Sequence, residues 1–252
     1  MSGDVRPQTG KREPANGERM GALVASRDCL TDNDWICAEY LRTRSGELAD
    51  ATVQHVGIAS VSVVLAVLVA FPLALVARRW RAAREPVLGL TTVLYTVPSL
   101  AMFALLLPVF GLSVSVVVTG LVLYSLTILV RNILAGLDSV PAEAQEAARG
   151  MGYGTVRMLF EVELPLVVPA LMAGVRIAAV SAVSLTTVGA IVDYGGLGNL
   201  IYGGLQTVFK AQVLAASVLC VILAVLADLL LLWLQRALTP WARPRTSAGK
   251  VG

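Results

Sequence analysis

Five long apolar runs dominate the chain, and polar or charged segments separate them. About 20 apolar residues of helix cross a bilayer core that is about 30 Å thick, and each run has roughly that length or more. The runs are Val56–Ala77, Val87–Leu107, Leu112–Val130, Leu166–Val192 and Ala211–Leu234. The pattern predicts an all-α, polytopic membrane protein with five transmembrane helices.

Composition agrees with this pattern. The chain has 252 residues, of which 56% are hydrophobic and only 15% charged. Its mean hydropathy is +0.75. A soluble globular domain carries more charge on its surface, so a membrane protein is expected.

Basic residues are concentrated in alternate loops. The loops after the first and third runs carry four and three arginines, and the C-terminal end carries four basic residues. The turn after the second run has none, and the loop after the fourth has only Lys210. Because basic loops stay in the cytoplasm, the N-terminus is expected outside and the C-terminus inside. Seven basic residues in the first 55 oppose this orientation, but most lie too far from the first span to decide it.

These patterns divide the chain into segments. We expect a disordered tail at 1–28, an external pre-membrane segment at 29–55 and a transmembrane domain at 56–236. A cytoplasmic loop occupies 131–165 within that domain, and a cytoplasmic tail occupies 237–252.

Three further features lie near the N-terminus or in the last span. Met20 is an alternative start to Met1. Cys29 and Cys37 lie eight residues apart in the external segment, where a disulfide is chemically permitted but not required. Cys220 lies in the middle of the fifth run and is expected to act as a small apolar residue.

The 131–165 loop has local structure of its own. Asp138 or Ser139 can cap a helix that accepts Pro141 in its first turn and continues to Arg149. Three glycines end it, and Thr155 can cap a second short helix. On that second helix one apolar face is expected, formed by Val156, Leu159 and Phe160.

A linker of this length needs neither an apolar face nor a tightly specified turn. The small side chains of Ala147 and Ala148 would let another protein approach the helix closely. Glu143 and Glu146 can pair with a basic partner. We interpret the loop as a docking element.

The loop also carries a recognisable motif, Glu146-Ala147-Ala148, then Gly152, Val162 and Leu164-Pro165. This order resembles the EAA signature of the permease subunits of ABC importers, with valine where the family often has isoleucine. In that family the loop forms a coupling helix that rests in a groove of the nucleotide-binding subunit. The resemblance implies that Glu146 makes the contact and Gly152 the turn.

The resemblance also implies partners. They are a cytoplasmic ATP-binding subunit, a second permease copy or a paralogue, and an extracytoplasmic solute-binding protein, with membrane lipid around the helices. ATP and Mg would be used by the partner ATPase, and no cofactor is expected on this chain.

Two softer motifs narrow the substrate class. Segments Tyr95–Pro108 and Gly195–Ile201 look like those of permeases for glycine betaine, choline and carnitine. Permeases for methionine and alkanesulfonates share parts of the glycine segment, so these substrates stay open.

The glycine segment departs from the family at one point. Many relatives have two small residues before it, whereas this chain has Asp193 and Tyr194, next to Gly195, Gly196 and Gly198. An acidic and an aromatic side chain at an outer mouth would attract a quaternary ammonium cation. An ordinary solvated loop is the alternative.

Two charges lie inside the apolar runs. Arg176 and Asp228 have similar expected depths, and an unpaired charge at mid-bilayer is expensive. We expect them to face the bundle interior and to pair, either as an interhelical clamp or on the translocation path. His55, the only histidine, is expected at the membrane interface rather than in a catalytic site.

The sequence contains no Walker-type phosphate-binding run, no Cys/His metal cluster and no nucleic-acid-binding pattern. The chain is therefore expected not to be an enzyme, and ATP hydrolysis is expected on another subunit. Two alternatives remain. One is an ion-coupled secondary carrier that uses Arg176 and Asp228 as a relay, and the other is a non-transporting scaffold or sensor.

Overall fold

A computed structural model describes residues 29–240, which are helical apart from short connections. The predicted tail at 1–28, the alternative start at Met20 and the last twelve residues of the predicted C-terminal tail lie outside the described residues. The helices are α1 (Ala38–Thr43), α2 (Ser45–Arg79), α3 (Arg81–Thr96), α4 (Ser99–Phe110), α5 (Val114–Asp138), α6 (Ala142–Gly150), α7 (Thr155–Met158), α8 (Leu164–Thr186), α9 (Leu197–Gln206) and α10 (Lys210–Leu238). A π-helical turn, Leu159–Glu163, precedes α8, and a 3-10 helix, Thr187–Val192, follows it.

Four stretches of the described chain are long and apolar enough to cross a membrane. They are α2, α5, the continuous Thr155–Val192 and α10. The structure confirms an all-α fold with several membrane spans, and a fifth crossing is present if the pair α3 and α4 counts as one span.

The second predicted span is not a straight helix. Helices α3 and α4 meet at an angle of 100°, and we call this break at Val97 and Pro98 the elbow. Val97 is extended, with φ −64° and ψ 127°, because a residue before proline is pushed out of the helical region. Hydropathy alone shows a continuous run here, since both halves are apolar.

Helix α2 begins eleven residues before the first apolar run. Its 35 residues span about 52 Å at 1.5 Å per residue, which exceeds the thickness of the hydrocarbon core. The length of an apolar run reports the thickness of the lipid, whereas the helix continues through polar residues that pack on the protein.

The core lies where α5 packs against α2 and α8. Leu129, Val130 and Ile133 of α5 are fully buried there. They meet a face of α2 made of small side chains at helical spacing, namely Ala66, Ala70, Ala74 and Ala77. Small residues let two helix backbones approach closely where lipid provides no hydrophobic driving force.

The end of the bundle that carries Gly195, Gly196 and Gly198 is called the glycine end, and the opposite end, which carries residues 139–163, the loop end. At the glycine end Cys29 and Cys37 form a disulfide with a Cα–Cα distance of 5.5 Å. Asn33 donates a hydrogen bond to the carbonyl of Val208 (2.7 Å). The N-terminal turn is thereby held against the connection between α9 and α10.

Two aromatic side chains of this N-terminal turn differ in environment. Trp35 is exposed, whereas Tyr40 is buried and packs edge-on against the ring of Phe209 at 5.3 Å. Trp35 is therefore placed as an interfacial residue would be, but Tyr40 belongs to the protein interior.

His55 is fully buried at the glycine end, so the expectation of an interfacial histidine was wrong. Its two ring nitrogens face the carbonyl oxygens of Val183 (2.9 Å) and Gly195 (3.2 Å). The ring therefore links α2 to α8 and to the glycine segment. These partners were not predicted, because they lie more than 120 residues away along the chain.

The glycines at this end permit close packing. A Cβ atom at Gly198 would lie 2.3 Å from the carbonyl oxygen of Thr187. One at Gly196, where φ is +55°, would lie 2.8 Å from the backbone of His55. Gly203, on the same helix as Gly198, has its nearest neighbour at 3.6 Å.

Gly198→Ala is expected to lower the free energy of unfolding by about 1 to 3 kcal/mol, because the added methyl group overlaps backbone atoms that cannot move aside. Gly203→Ala is the matched control, and it is expected to be neutral or slightly stabilising, since alanine favours the helix. Thermal unfolding of the purified protein in detergent measures both. Equal midpoints for the two variants would contradict the close approach at Gly198.

Candidate coupling site and intramembrane charges

The 131–165 loop forms a helix, a glycine turn and a second short helix. Helix α6 follows Pro141, and Gly152 takes a left-handed conformation with φ +81°. The predicted caps differ. Asp138 ends α5 and pairs with Arg84, and Gly154 rather than Thr155 precedes α7.

Helix α6, which carries the Glu-Ala-Ala motif, has one exposed side and one buried side. Glu143, Glu146 and Ala147 are exposed, whereas Ala148 is 1% exposed and packs inside this chain. A partner can therefore approach Ala147 but not Ala148, which corrects the expectation that both alanines are open. The correction follows from helical geometry, since adjacent residues on a helix face different sides.

An apolar patch is exposed beside this motif. Val156 is 70% exposed and Phe160 56% exposed, and Met151 is also exposed. Leu159, predicted on the same face, instead packs against the core. We call Met151, Val156 and Phe160 the apolar patch.

Charged side chains border the apolar patch. Arg157 pairs with Glu161 (3.0 Å) and lies over the ring of Tyr153 at 4.3 Å. An exposed apolar surface with a polar border is typical of a protein-protein contact.

An ion pair that the sequence does not predict lies at the base of the loop. Arg78, near the end of α2, donates two hydrogen bonds to the carboxylate of Glu163 (2.6 and 2.8 Å). Glu163 is buried, and Leu164 and Pro165 follow it as the first residues of α8. A movement of the loop must therefore carry the end of α2 with it or break this pair. The available signal was an arginine and a glutamate, each at the edge of an apolar run.

The structure brings Arg176 and Asp228 together. The guanidinium of Arg176, on α8, donates two hydrogen bonds to Asp228, on α10 (2.8 and 2.9 Å). Their side chains are 26% and 37% exposed. A bidentate pair of this kind neutralises two charges at a depth where either alone would be costly.

The predicted outer-mouth residues separate into two groups. Asp193 is exposed and has φ +65°, and Tyr194 is half-buried against the core. Gly195, Gly196 and Gly198 are buried packing residues. This corrects the expectation that all five line a mouth.

The side chain of Asn199 holds the turn between these two groups. It accepts a hydrogen bond from the backbone N–H of Gly195 and donates one to the carbonyl of Asp193, both at 2.9 Å. The position of Asp193 is therefore set by the start of α9.

Within residues 29–240, no three or more His, Cys, Asp or Glu side chains come close enough to hold a metal ion.

Asp228→Asn alone is expected to lower the free energy of unfolding by about 1 to 3 kcal/mol, because it leaves Arg176 without its partner. This is below the roughly 3 to 5 kcal/mol of a fully buried pair, since both side chains are partly exposed. The double variant Arg176→Gln/Asp228→Asn is expected to be less damaging than Asp228→Asn. Expression level and thermal midpoint in detergent measure this.

Glu39→Gln, which breaks an exposed pair with Arg42, is the control for the previous experiment and is expected to have little effect. Equal loss in the single and double variants would show that Arg176 and Asp228 are not energetically coupled.

Comparison with known proteins identifies the family. Residues 58–244 match the family described as binding-protein-dependent transport system inner membrane component. The osmoprotectant import permease protein OsmW of Salmonella typhimurium is 36% identical, over 80% of this chain and 96% of the relative. The choline transport system permease protein OpuBD of Bacillus subtilis is also 36% identical, over 84% of this chain and 94% of the relative.

Solved structures show the same fold. An inward-facing structure of the MetNI methionine ABC transporter has a TM-score of 0.72 at 20% identity and covers 78% of this chain and 98% of that one. A bacterial alginate ABC transporter, solved with an alginate-bound periplasmic protein, has a TM-score of 0.68 at 14% identity, with 89% of each chain covered.

The family match runs from residue 58 to residue 244 and therefore includes the 131–165 loop. The relatives are transport components and not enzymes, and several apolar helices make this a multi-pass protein of the cell membrane. The chain belongs to the family of binding-protein-dependent transport system inner membrane components.

Proposed function

We propose that this chain is the permease subunit of an ATP-driven importer for quaternary-amine osmoprotectants such as glycine betaine, choline or carnitine. The exposed apolar patch beside Glu146 carries the proposal, because it offers a partner a docking surface at the end of the bundle where the basic loops lie. The names of the relatives support the substrate class.

The loop end is cytoplasmic in this proposal, and the N-terminus is external. The arginines at positions 78, 79, 81, 84, 149 and 157 lie at the loop end, as the positive-inside rule requires. The disulfide between Cys29 and Cys37 lies at the glycine end. Disulfides persist outside the cytoplasm, so the charge and the disulfide support the same orientation.

The partner at the loop end is an ATP-binding subunit. Buried aromatic and apolar anchors contribute most of the affinity in protein interfaces, and Phe160 with Val156 supplies such anchors. Glu143 and Glu146 add negative charge next to them. ATP and Mg belong to that subunit, which also performs the hydrolysis.

Transport would proceed by alternating access. Closure of the ATPase subunits moves the loop, and the loop is continuous with α8 through the π-helical turn. The pair between Arg78 and Glu163 joins the same turn to α2. The spans therefore rearrange together, and the equilibrium shifts between states open to either side.

The remaining partners lie elsewhere on the bundle. A second permease, identical or paralogous, completes the path, and a solute-binding protein docks at the glycine end, where Asp193 is exposed. Apolar helix surfaces, above all that of α10, contact membrane lipid.

The alternative of an ion-coupled carrier finds less support. Arg176 donates a hydrogen bond to each carboxylate oxygen of Asp228, so the pair joins α8 to α10 as an interhelical clamp in the observed conformation. The likeness to a methionine transporter concerns the fold, because only 20% of residues are identical.

Proteoliposomes that contain this chain, its ATPase and its binding protein are expected to accumulate labelled glycine betaine, choline or carnitine when ATP is supplied. Uptake is measured with and without ATP and with a proton gradient alone. A vesicle with the chain omitted is the control. Uptake driven by the gradient without ATP would favour the carrier, and no uptake of any of the three would reject the substrate class.

Glu146→Lys and Gly152→Pro are expected to lower uptake at least tenfold while the protein remains inserted in the membrane. The first reverses a charge at the docking surface, and the second is incompatible with φ +81°, because proline requires φ near −65°. ATP hydrolysis is expected to continue without transport, and both rates are measured on the same vesicles.

Gly154→Ala is the matched control for the loop variants, since Gly154 has an ordinary φ and open space around it. It is expected to transport normally. Full transport by both Glu146→Lys and Gly152→Pro would contradict the role of the loop in coupling.

A further inference from the structure

A small cavity of about 220 Å³ lies between α3, α5 and α8. Hydroxyl and aromatic side chains form most of its wall, namely Tyr95, Tyr124, Ser125, Ser181 and Ser184. We call it the tyrosine cavity. Its volume is below the roughly 300 to 1,000 Å³ of sites for drug-sized ligands, so it suits a small solute.

The tyrosine cavity lies deep in the bundle. Tyr124 is 14 residues from Asp138 at the loop end of α5, which corresponds to about 21 Å of rise. Ser181 is 17 residues from the start of α8 at Leu164, or about 25 Å. Both distances fall within a hydrocarbon core about 30 Å thick.

Polar side chains at this depth are exposed on the surface of the single chain. Tyr95 is 50% exposed, and Ser184 and Thr96 are also exposed. The surface of α10 differs, because as far as Leu234 its exposed side chains are apolar and include Val221, Leu226, Leu230 and Trp233. Lipid would favour the second surface but not the first. The hydroxyl-bearing face therefore belongs to a path or a subunit contact.

The elbow lies beside the cavity. Non-helical backbone at membrane depth is tolerated where it is buried in protein or lines a watery cavity. Tyr124 donates its hydroxyl hydrogen to the carbonyl of Val97, which the elbow releases from the helix. The rings of Tyr95 and Tyr124 meet edge-on at 6.0 Å. The two tyrosines and the elbow thus form one unit.

Two features of this unit attract a cation. Helix α3 ends at Thr96, and the C-terminal end of a helix carries partial negative charge. The ring faces of tyrosine also attract cations. Among the described residues that line the cavity, none has an acidic or basic side chain, so a strongly solvated ion would lose its water without compensation.

A quaternary ammonium group matches these properties. It carries a positive charge but has no N–H to donate, so it needs no acceptor, and aromatic rings recognise it through cation–π attraction. Arg131 lies seven residues after Tyr124 on α5, and its guanidinium donates a hydrogen bond to the hydroxyl of Thr92 (2.9 Å), which lies about one helical turn before Tyr95. The positive charge of Arg131 opposes a bound cation, so this repulsion also limits the affinity of the site.

We propose that the tyrosine cavity is a transit site for the quaternary ammonium group of the substrate, with the ring of Tyr95 and the C-terminal end of α3 as its contacts. The proposal rests on the proposed function for its ligand class. A site of this kind binds weakly because it lacks a countercharge, as a transit site must if the solute is to leave it.

The test uses choline and its neutral carbon isostere, 3,3-dimethylbutan-1-ol. Both are titrated onto the complex of this permease and its ATPase in lipid nanodiscs, without the binding protein, and saturation-transfer NMR of the methyl groups gives the Kd. The wild-type complex is expected to bind choline more tightly than the isostere.

Variants at Tyr95 identify the site. Tyr95→Ala and Tyr95→Leu are expected to raise the Kd for choline about 2- to 30-fold, the range of cation–π contributions. Tyr95→Phe keeps the ring and is expected to stay within about twofold. Tyr202→Ala, which removes an exposed tyrosine of α9, is the matched control and is expected to leave the Kd unchanged.

Two results would overturn the proposal. The first is an equal Kd of the wild-type complex for choline and for its isostere. The second is an equal Kd for choline in the Tyr95→Ala, Tyr95→Leu and Tyr202→Ala variants. Uptake measured on the same preparations shows whether a negative result concerns this site or the proposed function. Import of quaternary amines without any effect of Tyr95 on choline binding rejects the site alone. Choline binding that depends on Tyr95 supports the site, even where a lack of import rejects the substrate class.

Discussion

Polar groups inside a bilayer must find partners within the protein, and this constraint accounts for the main long-range contacts of the structure. No water is present at that depth to compensate an unpaired carbonyl or charge. Arg176 and Asp228 neutralise each other, His55 faces two carbonyl groups, and Tyr124 donates to the carbonyl of Val97. Each contact joins two segments that are distant in sequence, so the constraint also holds the bundle together.

Small residues make these contacts geometrically accessible. The alanine face of α2 brings its backbone close to α5, and the glycines at 196 and 198 bring α9 onto His55 and Thr187. Dispersion forces then act between closely packed backbones, because lipid itself provides little drive for helices to associate. The glycine end is thereby tightly packed and cross-linked by a disulfide, whereas the apolar patch at the loop end is exposed.

The two ends of the bundle differ as expected for a transporter in which a partner subunit acts on one end only. At the loop end the ion pair between Arg78 and the buried Glu163 joins α2 to the start of α8. Breaking one partner of such a pair is costly, so the two helices move together. The elbow lies further up the bundle, next to the tyrosine cavity, where small rotations of α5 and α8 would change the shape of the cavity.

Local properties were decided by the sequence alone. The apolar runs predicted the all-α membrane fold, and the spacing from Glu146 to Pro165 identified the family. These features depend on residues close together in the chain, since transfer into lipid and helical spacing are local. Only the tertiary structure decided that Ala148 is closed, that Pro98 bends the second span by 100°, and that Glu163, His55 and Tyr124 have their particular partners. Such partners come from other helices, and hydropathy does not indicate which helices pack against each other.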